Sequence, residues 1–287
     1  MRSNNPVFNN NPAFNGQAGY GQQAYPQGGY PPPPPPPGYG AEQYGATQYG
    51  APQQAPQATR AMTIDDVVQK TGVSLVVVLF AAAATWILTP SIESGDISAL
   101  SAAMMIGMFA GFGIGLYATF ARKMLSPAVV LAYAAAQGVF MGGFSKLMEA
   151  TEYQGIVLNA VLGTVAATGG VLAAYKFLDI KVGDGFRKGF FAAALGFGAL
   201  LLVGFALQMF GVNTGLFGDG PLGLLIAIAG LGFGVVGLVL DFDMVEQGVR
   251  AGVPEKFSWT AAFGLTASIV MVYFYLLRIL AILNSDD

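Results

Sequence analysis

Two aspartates, Asp241 and Asp243, lie inside the apolar run Gly237-Leu-Val-Leu-Asp-Phe-Asp-Met-Val-Glu-Gln247. A carboxylate at bilayer depth costs roughly 2.5–3.5 kcal/mol even on the lenient insertion scale, so such a group is usually retained for a purpose. Its oxygens suit a hard cation such as calcium. On a helix the two aspartates point about 200° apart, so they cannot both face one cavity. Asp243 shares its face with Glu246 and Gln247, three and four residues on. This stripe makes Asp243 the better candidate for a site, with Asp241 on the far face. The alternative for both aspartates is a helix end that simply reaches water.

Two other polar stripes could face that carboxylate. Tyr133, Gln137, Met141 and Phe144 recur at helical spacing, and so do Gly264, Ser268, Met271, Tyr275 and Arg278. Arg278 falls about one turn from the outer end of its segment, where it is expected to snorkel and to lie too far along the axis to meet Asp243. The missing residue types exclude more than the present ones suggest. The chain has no Cys and no His. Disulfides, thiolate nucleophiles, Ser-His and Cys-His catalysis and most zinc or haem sites are therefore ruled out. A retinal protein needs a lysine in its last span, and none is there. No enzymatic activity and no cofactor are expected. The pI near 4.9 and the lack of a dense basic patch argue against nucleic acid.

The elements that must hold these residues are membrane helices. The 287 residues are 54% hydrophobic and 10% charged, far below the roughly 25% charge of soluble domains. A hydrocarbon core about 30 Å thick needs about 20 helical residues. Segments of that kind lie near 73–91, 99–121, 127–149, 155–178, 189–211, 222–245 and 258–283. Order is expected to begin at Thr63-Ile-Asp-Asp66, which reads as a capping box. Residues 61–287 would then form one all-α, seven-helix transmembrane domain. Residues 1–60, with the run Pro31–Pro37 and tyrosines every five residues, lack the apolar content to build a core. They are expected to be a disordered tether, with a docking segment for a protein partner as the alternative. The opening Met1-Arg2-Ser3-Asn4 leads into no apolar signal segment.

Charge placement supports an odd count of spans. With the first sixty residues in the cytoplasm, Arg2, Arg60, Lys70, Arg122, Lys123, Lys176, Lys181, Arg187, Lys188, Arg250 and Lys256 all fall on that side. Only Lys146 and Arg278 fall opposite, as the positive-inside rule requires for a multi-pass inner-membrane protein with a cytoplasmic N-terminus. Gly107/Gly111/Gly115, Gly138/Gly142 and Gly230/Gly234 form seams that let helices approach closely in lipid.

Several segments together resemble the Bax inhibitor, or transmembrane Bax-inhibitor-motif, family in a bacterial subgroup. They are Met1-Arg-Ser-Asn-Asn-Pro-Val-Phe8, Ala61-Met-Thr-Ile-Asp-Asp-Val-Val68, Ser126-Pro-Ala-Val-Val-Leu-Ala-Tyr-Ala-Ala-Ala-Gln-Gly138, Asp241-Phe-Asp-Met-Val-Glu-Gln-Gly-Val-Arg250 and Trp259-Thr-Ala-Ala-Phe-Gly264. The likeness covers about residues 58–285. It implies six helices around a central seventh and activity as a pH-sensitive calcium leak, latched by paired aspartates on the sixth and seventh helices. Asp243 matches the first aspartate. The resemblance therefore makes it the expected main carboxylate of an ion path and a transient calcium ligand, with Glu246 and Gln247 adding oxygen ligands at the cytoplasmic mouth and Asp241 having a smaller part. The second aspartate's position falls at Ser268, and an acidic position of the third span is Gln137 here, so two of three implied carboxylates are neutral. A weak calcium or cation leak through the bilayer is the function the resemblance implies. A non-conducting scaffold or quality-control partner, recruited through the first sixty residues, is the other.

Overall fold

A computed structural model describes residues 60–92, 97–120, 124–152, 154–177 and 182–284. The expected tether, the loop with Glu93 and Asp96, the basic residues Arg122, Lys123 and Lys181, and the terminal Ser285-Asp-Asp287 lie outside the described residues. Among the described residues seven α-helices are long and apolar enough to cross a membrane. They are α1 Ile64–Leu88, α2 Ser98–Phe120, α3 Pro127–Thr151, α4 Ile156–Phe177, α5 Asp184–Met209, α6 Pro221–Arg250 and α7 Phe257–Asn284. The protein is an all-α, polytopic membrane protein.

Local sequence sets where the helices start. Thr63 accepts from the Asp66 amide at 3.2 Å while Asp66 accepts from the Thr63 amide at 2.9 Å, so the capping box forms as the sequence predicts. Ser126 caps α3, with Pro127 in the first turn, and Pro221 opens α6, where a missing amide proton costs nothing. Two boundaries differ from the apolar segments. α5 starts at Asp184, five residues before the run at 189, because Gly183 and an acidic first turn suit a helix N-terminus. α6 continues past 245 to Arg250, which carries Glu246, Gln247 and Arg250 on regular helix.

α7 is the central helix. It packs against α1, α3, α4 and α6, and its buried positions run from Ser258 to Ile282. Glycines fix how near the others come. A Cβ at Gly138 or Gly142 would run into the backbone of Val78 or Ala82 on α1, and one at Gly107 would meet Phe140 on α3 at 2.6 Å. With lipid outside as apolar as the core, this backbone proximity and its dispersion contacts replace the hydrophobic drive of a soluble protein. α5 is the exception, since Gly204 is its only buried residue.

Polar side chains finish the helix ends. Lys146 donates to the Trp86 and Thr89 carbonyls at 2.8 and 2.7 Å, which satisfies the C-terminus of α1. Glu149 accepts from the Gly155 and Val157 amides at the start of α4. Arg278 does not snorkel as expected. It is 8% exposed and donates to the Leu216 carbonyl at 2.6 Å, because the α5–α6 connection folds over it and offers an unpaired acceptor.

Candidate functional site: two carboxylates on opposite faces of α6

α6 and α7 run antiparallel along a glycine seam. The absent side chain of Gly230 faces the Tyr275 ring, that of Gly234 faces Val272, and that of Gly237 lies 2.9 Å from the Ser268 hydroxyl. Residues 230, 234, 237 and 241 share one helical face, so Asp241 is the next member of the seam. Gly264 makes room for it, since a Cβ there would lie 2.7 Å from the Asp241 Oδ1. The Ser268 hydroxyl donates to Asp241 Oδ2 at 2.6 Å. Among the described residues no basic side chain forms an ion pair with Asp241.

Asp243 points the other way, toward α5. It is 6% exposed and forms an ion pair with the Arg187 guanidinium, and the Gln247 amide donates to the same oxygen at 2.9 Å. One turn further on, Glu246 accepts from the Tyr175 hydroxyl of α4 at 2.7 Å and from Arg250 on its own helix. The C-terminal end of α6 therefore presents an acceptor to α5 and another to α4.

The two aspartates lie on opposite faces, as their spacing predicts, and Ser268, which the resemblance sets opposite Asp243, meets Asp241 instead. The glycine seam sets the register, and it extends in steps of four, three and four residues to 241, which leaves 243 on the far side. Continuing Gly230/Gly234 by two more turns reaches Asp241. Arg187, which charge counting sets among the loop residues, stands on α5 with Phe190 and Phe197. The helix-starting Gly183-Asp184 was the available signal. Gln137 is brought to neither aspartate. It lies across Gly111 of α2. It lines an open groove of about 360 Å³ with Thr119, Phe263 and Ala267. The Tyr133 ring is tilted against Phe263, with ring centroids 4.6 Å apart.

Chemically, Asp243 is a carboxylate with its countercharge already in place. Among the described residues Asp241 is held by a neutral hydroxyl and by no ion pair, so it can exchange that partner for a cation or a proton without breaking one. Among the described residues no three acidic side chains converge as a metal cage would require.

A family model described as Bax inhibitor 1 like matches residues 5–285, nearly the whole chain. No curated protein matches the chain. The chain belongs to the Bax inhibitor 1 like family.

Proposed function

We propose that this membrane protein conducts a weak cation leak, with calcium as the cargo that suits its oxygen ligands, along the α6–α7 interface. One observation carries this reading. A carboxylate sits between the central helix and its neighbour, hydrogen-bonded to a serine and without an ion-pair partner among the described residues. Desolvating a carboxylate between helices is costly, and a passing cation offsets that cost where a permanent arginine would block it. The ion-path role expected of Asp243 thus moves to Asp241, while Asp243, Glu246 and Gln247 hold the inner end of α6 in place. The reading places the N-terminus in the cytoplasm and the protein in the inner membrane, without enzymatic chemistry, in accord with the basic-residue asymmetry.

Calcium uptake by liposomes containing only the purified chain tests it. Asp241→Asn keeps the volume and the hydrogen bond to Ser268 but removes the charge, and it should lower flux about tenfold, which corresponds to ~1.4 kcal/mol at the barrier. Ser268→Asp would put a second carboxylate beside Asp241 and should make the flux acid-sensitive. Undiminished flux in Asp241→Asn would overturn the assignment. Wild-type flux no higher than empty liposomes would favour the second reading, a non-conducting scaffold, which the closed glycine seam and the neutralised Asp243 support.

A further inference from the structure

α5 is attached unlike any other helix of the bundle. Gly204 is its single buried residue, and it lies beneath Leu216 of the α5–α6 connection, whose carbonyl Arg278 holds at 2.6 Å. That fixes the outer end. Along its length α5 meets α6 and α7 through rings, with Phe197 stacked on Phe233 at 4.9 Å and tilted against Tyr275 at 6.3 Å, and meets α2 through Phe205 edge-on to Phe109 at 6.4 Å. Its inner end is held by the Arg187–Asp243 ion pair, braced by Gln247. Loose ring contacts lose little when a helix tilts, because lipid tails replace them with comparable dispersion contact. The ion pair is different, since separating it leaves Asp243 in a dry environment without its countercharge.

We propose that α5 is a movable helix, hinged at its outer end by the Gly204–Leu216–Arg278 contacts and latched at its inner end by Arg187 on Asp243. Releasing the latch swings the inner end away from α6 and exposes the Asp243 face. The device does not depend on whether the chain conducts ions, because it rests on how α5 is packed.

The absence of native cysteine makes the test direct, since every introduced cysteine is a unique labelling site. Spin labels at Lys188→Cys and Gln69→Cys report the inner end of α5 against α1, and labels at Val212→Cys and Leu88→Cys report the outer end. In the full-length protein in lipid vesicles, the unsubstituted background should give one narrow distance distribution for each pair. Arg187→Gln and Asp243→Asn should each add a longer population at the inner pair, displaced by about half a helix diameter, ~5 Å, while the outer pair stays narrow. The charge exchange Arg187→Asp with Asp243→Arg should restore the single inner distance. Unchanged inner distances in both single variants would overturn the latch. Equal broadening at the inner and outer pairs would overturn the hinge, because it would show general loosening.

Discussion

Arg187 and Asp243 share one ion pair but not one environment. The aspartate side chain is 9% exposed and the arginine side chain 29%. Removing a partner from a buried pair costs about 3–5 kcal/mol, chiefly through the charge left behind. In Arg187→Gln the stranded charge is the buried carboxylate, with only Gln247 to answer it. In Asp243→Asn the stranded charge is an arginine long enough to turn its head toward water. Arg187→Gln should therefore destabilise by about 3 kcal/mol and Asp243→Asn by about 1 kcal/mol, after allowance for partial exposure. Thermal unfolding in detergent checks the order, and a larger loss in Asp243→Asn would show that the arginine is the more deeply confined charge. The pair also marks what the sequence leaves unsaid. An acidic residue in an apolar run announces itself by its cost, so both aspartates were legible. A basic residue at a helix mouth looks like any cytoplasmic loop charge, and only the fold reveals that it reaches inward.

At the scale of elements, seven apolar runs and their charge asymmetry were enough to read the number of helices, because length and hydropathy are local properties. Pairing was only partly readable. Glycine seams announce close approach without naming the partner, and Gly138/Gly142 turn out to seat on Val78 and Ala82 of α1. Not every helical glycine serves this purpose, and the contrast supplies a prediction. A Cβ at Gly142 would overlap the Ala82 backbone, which cannot rotate away as a side chain could, so α1 and α3 must separate. A Cβ at Gly113 meets nothing within 4 Å. Gly142→Ala should cost about 1–3 kcal/mol, the range for overpacking a tight interface. Gly113→Ala should be neutral or stabilising by up to ~1 kcal/mol, because alanine restricts the unfolded chain and favours helix. Melting temperatures of the two variants side by side decide this, and equal losses would mean that the α1–α3 contact is softer than its geometry.

For the molecule as a whole, the long-range ties gather at the end of the bundle where α1 begins and α6 turns into α7. Arg60 pairs with Asp66 and Glu255, Lys70 reaches Glu255 at 3.2 Å and Ser258 at 2.6 Å, and Lys70 also sits over the Trp259 ring. The Met62 amide donates to the Val253 carbonyl at 2.8 Å, the Glu255 amide donates to the Arg60 carbonyl, and the Met62 side chain is buried against Gly248. The short stretch before α1 is thus stitched to the α6–α7 turn, so the start of α1, the end of α6 and the start of α7 are tied together on one side of the bundle. The asymmetry of basic residues predicts the orientation. A reporter fused after Asp287 should be silent if it works only in the cytoplasm, and activity there would require an even number of crossings. The same stitching sets where the polar N-terminal region can be cut. Its composition carries too little apolar content to bury, so deleting residues 1–58 should change unfolding stability by no more than about 1 kcal/mol. Deleting residues 1–62 removes four more and has a different result. It takes away the countercharge of Asp66, two backbone hydrogen bonds to the α6–α7 turn and a fully buried methionine. Losing a buried methionine side chain alone costs about 2–5 kcal/mol where the site cannot collapse, and Gly248 beneath it has no side chain to fill the gap. The shorter deletion should melt with the full-length protein and the longer one well below it. Equal melting of all three would show that the stitch contributes nothing, and a loss already present at residue 58 would show that the polar region itself supports the fold.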